Sequence, residues 1–287
     1  MSDLGVSDVA FALAVGLCLT LGAVFGSVFY FRRFRLARPA VGVFNGRDVA
    51  VMLAFVVVMP LLYVALPTWV LPTMLGLVFF GVLSVSAEPV LRQRWPRRGA
   101  IATLLAIDIV AYQTSTFTIV NSIVIVLVCV GAANLNVQGG FTLRHAVWFV
   151  LGLAAYDLVF ITVIPLTQQL FAAAEGYVFA PVAVVRIGDF ATAVGMGDIL
   201  AYALFGLAAY KAYGRVGLRM AVAVVLVFGA IAPPLAPLAI GSLVGHVPQL
   251  IPAQVLFAPA AFAAYQVLRR RRGAERRMVS VVSSAVA

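Results

Sequence analysis

The stretch from His145 to Leu170 reads HAVWFVLGLAAYDLVFITVIPLTQQL, and its apolar length decides the fold. About 20 apolar residues carry a helix across the hydrocarbon core of a bilayer. This run is long enough, and Asp157 is its only acid. Eight further runs share the pattern, so nine spans are predicted: roughly 7–30, 49–66, 68–87, 100–114, 117–134, 145–170, 189–212, 216–243 and 248–268. No run alternates as a barrel strand would. The expected fold is an all-α integral membrane protein of nine transmembrane helices. Pro72 in the third run and Pro233, Pro234 and Pro237 in the eighth predict kinks.

Composition agrees. Of 287 residues, 64% are hydrophobic and 10% charged, against about 45–50% and about 25% in an ordinary soluble domain. That excess excludes a soluble enzyme, a disordered chain and a nucleic-acid-binding domain, despite a net charge of +10. The cations sit between the runs. One set of loops holds Arg32, Arg33, Arg35, Arg38 and Arg47, then Arg92, Arg94, Arg97 and Arg98. The same set continues through Arg144, Lys211, Arg215 and Arg219 to Arg269–Arg272, Arg276 and Arg277. Arg186 alone breaks the asymmetry. The positive-inside rule makes the basic side cytoplasmic, with the N-terminus out and the C-terminus in. Residues 1–6 lack a basic n-region, so the first run reads as a retained span in the cell membrane. The arginine tail reads as a stop-transfer and orientation anchor, with a nucleic-acid or anionic-lipid patch as the alternative. Cys18 and Cys129 both lie inside apolar runs, which gives no support to a disulfide framework or a metal site.

Ten acids remain, and most stand at span ends. Asp48 and Asp189 immediately precede apolar runs, where an N-cap role suffices. Asp108, Asp157 and Asp198 lie in mid-span, where a carboxylate costs at least about 2.5–3.5 kcal/mol. Asp157 is 12 residues from His145 and Asp198 is 14 from Ala212. At 1.5 Å per residue, both lie about 18–21 Å from the cytoplasmic face. Their spans are consecutive and antiparallel, so the two acids can meet. Asp108 is shallower, about 12 Å in, and is expected to bond within the bundle, with Tyr112 as partner.

Two facing carboxyls that share one proton are the minimum equipment of aspartyl proteolysis. The ionised member takes a proton from water while the protonated member polarises the scissile carbonyl. Spacing alone equally allows a proton-relay pair in a transporter. The contexts favour proteolysis: Tyr156 precedes Asp157, and Asp198 closes Gly195-Met196-Gly197-Asp198. Two glycines beside a buried acid admit a second backbone.

These residues resemble the presenilin and signal peptide peptidase family of intramembrane aspartyl proteases, which carries Tyr-Asp on span six and Gly-x-Gly-Asp on span seven. The likeness covers about residues 145–268 and suggests a prokaryotic, archaeal member. The family's Pro-Ala-Leu at the start of span nine is matched by Pro252-Ala253-Gln254, with Gln in place of Leu. Pro233–Leu238 is a rival position, which would leave about 30 residues for the last span. The family also has a short strand after span six. Ala180-Pro181-Val182-Ala183-Val184-Val185 resembles it, and equally reads as the apolar start of span seven. An unpaired edge there, at Val182 and Val184, would hold unwound substrate by strand addition.

The resemblance implies an endopeptidase that hydrolyses peptide bonds within transmembrane helices or signal-peptide remnants, with Asp157 and Asp198 as its dyad. Residues 1–140 would be scaffold (spans one to five), 141–268 the catalytic helices, and 269–287 a basic cytoplasmic tail. No cofactor is called for. The expected partners are single-span substrates and membrane lipid, not nucleic acid. The rivals are a proton-coupled transporter and a prepilin- or preflagellin-type peptidase, which shares Gly-x-Gly-Asp but has fewer spans.

Overall fold

The computed structural model describes residues 6–36, 44–67, 69–162, 178–187, 190–236 and 253–276. Six helices come first: α1 Val6–Arg33, α2 Gly46–Ala65, α3 Val70–Ser86, α4 Arg94–Ala111, α5 Phe117–Gln138 and α6 Leu143–Thr162. An antiparallel hairpin follows, β1 Val182–Ile187 with β2 Phe190–Gly195. Its register runs from Val182 opposite Gly195 to Ile187 opposite Phe190. Then come α7, Met196–Val224, a π-helical segment, Val225–Ile231, and α8, Ala253–Arg272.

Helices α1, α5, α6, α7 and α8 share one core, which includes Val24, Ile125, Val150, Phe205, Leu207 and Phe257. A second core joins α3, α4 and α5 through Leu75, Phe79, Ile101, Leu105 and Val128. The outside is also apolar. Phe29, Leu77 and Val110 are 68%, 68% and 70% exposed, which water would penalise and lipid tails would not. Among the described residues, four helices are long and apolar enough to cross a membrane by length and composition: Leu13–Arg33, Phe117–Gln138, Leu143–Phe160 and Met196–Ala236. The last has 41 residues, about 60 Å of helix against a hydrocarbon core of about 30 Å. Gly214 breaks it, with φ 65° and ψ −144°, a conformation open essentially to glycine alone. The break falls between the seventh and eighth apolar runs.

Several boundaries differ from the sequence reading, each for a local reason. The seventh run was expected to begin a helix near residue 189, but residues 190–195 form β2 and the helix starts at Met196. The cap of that helix is Gly195, and Asp189 lies outside the described residues. The fourth helix starts at Arg94, six residues before the expected edge, because its polar first turn is invisible to hydropathy. Pro72 causes no kink: it sits in the first turn of α3, where its missing N–H has no helical partner to lose. At α2 the cap is Asn45. Its Oδ1 accepts from the N–H groups of Arg47 and Asp48, while Asp48 Oδ2 accepts from the Asn45 N–H at 2.6 Å. That reciprocal pair is a capping box.

In the eighth run a π segment, Val225–Ile231, precedes the prolines, and Pro237 lies outside the described residues. Pro233 and Pro234 follow it, and neither can donate the N–H that Gly229 would receive in an α or a π pattern. The Ala232 N–H is engaged with Val227. The Gly229 carbonyl instead accepts from the Tyr202 hydroxyl of α7 at 3.2 Å. A proline pair is thus tied to the catalytic candidate helix by a side chain.

Candidate active site

Two helices bring hydrogen-bond donors to two carboxyl groups. Asp198 stands in the first turn of α7, directly after β2. The first N–H groups of a helix lack helical partners, and the helix dipole favours negative charge there. Its carboxyl folds back over Gly195, where a Cβ would lie 3.2 Å from Asp198 Oδ2. Glycine at 195 leaves that oxygen its place. Gly197 is exposed, with open space where a Cβ would be.

The second helix is α8, and Gln254 is the second of its described residues. The Gln254 backbone N–H donates to Asp157 Oδ2 at 3.3 Å. Its side-chain Nε2 donates to Asp198 Oδ1 at 2.6 Å. One residue therefore holds both acids, which come from α6 and α7. Gln254 is 1% exposed. Its Oε1 is buried without a hydrogen-bond partner among the described residues.

The surroundings fix this arrangement. α8 packs along α6 and α7, using the small Ala258, Ala261 and Ala264 on the face it buries. Below the acids, Phe257 meets Tyr202 edge-on at 4.7 Å and Phe205 at 5.6 Å, in favoured aromatic geometry. Tyr202 is one helical turn beyond Asp198, so the aromatic floor and the acid share a face of α7. Tyr156 stacks on Phe160 at 4.6 Å.

The hairpin leads straight into the site. Asn121 of α5, buried, donates through Nδ2 to the Ala180 carbonyl at 3.1 Å and the Val182 carbonyl at 3.3 Å. The Met196 N–H donates to Pro181 at 2.8 Å, and the Met196 carbonyl accepts from Cys129 Sγ at 3.6 Å. These contacts fix the entry to β1 and the exit from β2 beside Asp198. Val184 pairs with Ala193 across the hairpin. The strand runs Val182–Ile187, so the β alternative for residues 180–185 is the one observed, displaced by two residues.

Of the residues singled out from the sequence, Asp157, Asp198, Gly195 and Gln254 come together, with Met196 and Gly197 on the same turn. Ala253 opens α8. Pro252, and Pro237 and Leu238 of the rival proline position, lie outside the described residues. Asp108 is separate: fully buried on α4, with neither carboxyl oxygen hydrogen-bonded among the described residues. The expected carboxyl bond to Tyr112 is not made, and the Tyr112 N–H instead donates to the Asp108 backbone carbonyl at 3.0 Å. Sequence reasoning missed Asn121 and Tyr202. Asn121 was detectable as an amide inside an apolar run, and Tyr202 from the paired prolines that strip the Gly229 carbonyl of donors.

Chemically, the arrangement is a pair of half-buried acids with hydrogen-bond donors already directed at them. Such a pair can hold one proton between two carboxyls and exchange it with a third group. No family model matches the sequence, and no curated protein matches it.

Proposed function

We propose that this chain is an intramembrane aspartyl endopeptidase of the presenilin and signal peptide peptidase type, with nine spans, an outer N-terminus and a cytoplasmic C-terminus. The observation that carries the reading is the meeting of Asp157 and Asp198 on Gln254. In the proposed reaction a water lies between the carboxyls and the scissile peptide. The ionised carboxyl takes a proton from the water as its oxygen attacks the carbonyl carbon, and the protonated carboxyl donates to the carbonyl oxygen. The tetrahedral intermediate collapses, the C–N bond breaks, and the dyad returns a proton to the departing amine.

A helix must unwind before its peptide bond can be attacked, because its carbonyls are otherwise engaged along the helix. The β1–β2 hairpin ends at the dyad, and a strand edge left unpaired among the described residues supplies backbone partners for the unwound segment. That is needed at membrane depth, where water cannot satisfy exposed N–H and C=O groups. Substrates on this reading are single helical spans and signal-peptide remnants, cut without a cofactor.

A proton-coupled transporter is the second reading, favoured by Asp108, a further buried carboxyl on a different helix. One experiment separates the two. Purified protein in detergent is given a helical peptide substrate, with and without a transition-state aspartyl protease inhibitor. Inhibitor-sensitive cleavage is expected; no cleavage of any helical peptide, together with proton-dependent uptake in vesicles, would select the transporter.

A further inference from the structure

Gln254 carries more than the contacts already described. Its side chain donates to Asp198 at 2.6 Å, while its Oε1 is buried with no donor facing it among the described residues. A buried amide oxygen left without a hydrogen bond is unfavourable, and orphaned polar atoms in native cores call for an explanation. Moving Oε1 toward another protein donor would pull Nε2 away from Asp198, because the two atoms share one planar amide. A donor that enters the site from outside satisfies Oε1 and leaves the Asp198 bond intact.

A substrate segment unwound over the dyad brings such donors. Each residue released from a helix presents a backbone N–H that has lost its helical partner. We propose, on the protease reading above, that Gln254 is a positioning residue that accepts a substrate backbone N–H on Oε1 while holding Asp198 through Nε2. One amide then registers the substrate main chain against the dyad. Only a side chain with a donor and an acceptor can do both. Leucine, which stands at the corresponding place of the family motif, can do neither, and glutamate supplies only the acceptor.

The test is an ester scan. A synthetic helical peptide cut by the wild-type protein is remade with each backbone N–H around the scissile bond replaced, one at a time, by an ester oxygen. Each peptide is assayed with wild type, Gln254→Leu and Gln254→Glu. One ester position is expected to lower wild-type kcat/KM about tenfold. In Gln254→Leu the penalty at that position should fall below about twofold, with the other positions unchanged. Gln254→Glu should keep the positional penalty while kcat falls, since the acceptor survives and the Asp198 donor is lost. If Gln254→Leu does not fold, Gln254→Met takes its place. Equal ester profiles in wild type and the apolar variant would overturn the role of Gln254 and leave the protease reading standing. Failure of the wild type to cut any helical peptide would overturn the protease reading and this inference with it.

Discussion

Replacing Tyr202 by Phe removes one hydroxyl and tests how the proline-containing segment is held to the catalytic candidate helix. The hydroxyl donates to the Gly229 carbonyl at 3.2 Å, and the prolines at 233 and 234 leave that carbonyl no helical donor. The ring's contact with Phe257 at 4.7 Å is retained. Side-chain hydrogen bonds in membrane proteins are worth about 0.6 kcal/mol on average and about 1.7 at most. Stranding a half-buried carbonyl that has no helical donor moves the cost to the upper end, so a loss of about 1–2 kcal/mol is expected. The assay is reversible unfolding in mixed micelles. Pro233→Ala supplies the Gly229 carbonyl with a backbone N–H, so in that background Tyr202→Phe should cost less than about 0.5 kcal/mol. Equal costs in the two backgrounds would refute the argument, as would no cost in the wild type.

Three further outcomes are expected. Asn121→Leu removes both bonds to the start of β1; amide exchange in residues 182–187 should accelerate and KM should rise more than kcat falls, whereas an unchanged KM would detach the hairpin from substrate binding. Glu275 accepts from the Leu143 and Arg144 N–H groups, both at 3.0 Å, at the start of α6, yet burial holds its carboxyl above the ordinary glutamate range. A value raised by folding means that its contribution is fully present below about pH 4.3 and is lost as pH rises through the raised value. Proteolysis near Gly273 should therefore become easier with rising pH, and Glu275→Gln should flatten that dependence; an identical profile in the variant would contradict the assignment. Reporters fused after Leu268 and within residues 174–178 should read cytoplasmic and external respectively, and the reverse would exclude the proposed orientation.

The sequence made some of this legible and concealed the rest for physical reasons. Helical runs showed through hydropathy alone, since a bilayer requires long apolar segments. Their ends did not, because Arg94-Trp95-Pro96-Arg97 starts a helix in polar residues. The hairpin was half visible. Residues 182–195 are rich in Val and Ala and continue without a break into α7, so no change of hydropathy marks where strand gives way to helix. The two acids stood out because a mid-span carboxylate is costly and therefore rare. Gln254 stood out only through Pro252-Ala253 before it. Its grip on both acids depends on its backbone N–H facing Asp157 while its side chain faces Asp198, which no sequence pattern shows. Asp108 was read as bonded, and its carboxyl has no partner among the described residues. Spacing along one helix did not disclose what neighbouring helices present to it.

The central claim, that Asp157 and Asp198 act as one catalytic unit, is tested most directly by turnover of a helical peptide by Asp157→Ala, Asp198→Ala and the double variant, each shown to be folded. Each single variant should lose all detectable cleavage, and the double should be no worse than either, because groups that act together do not contribute additively. Near-normal turnover by either single variant would contradict the account.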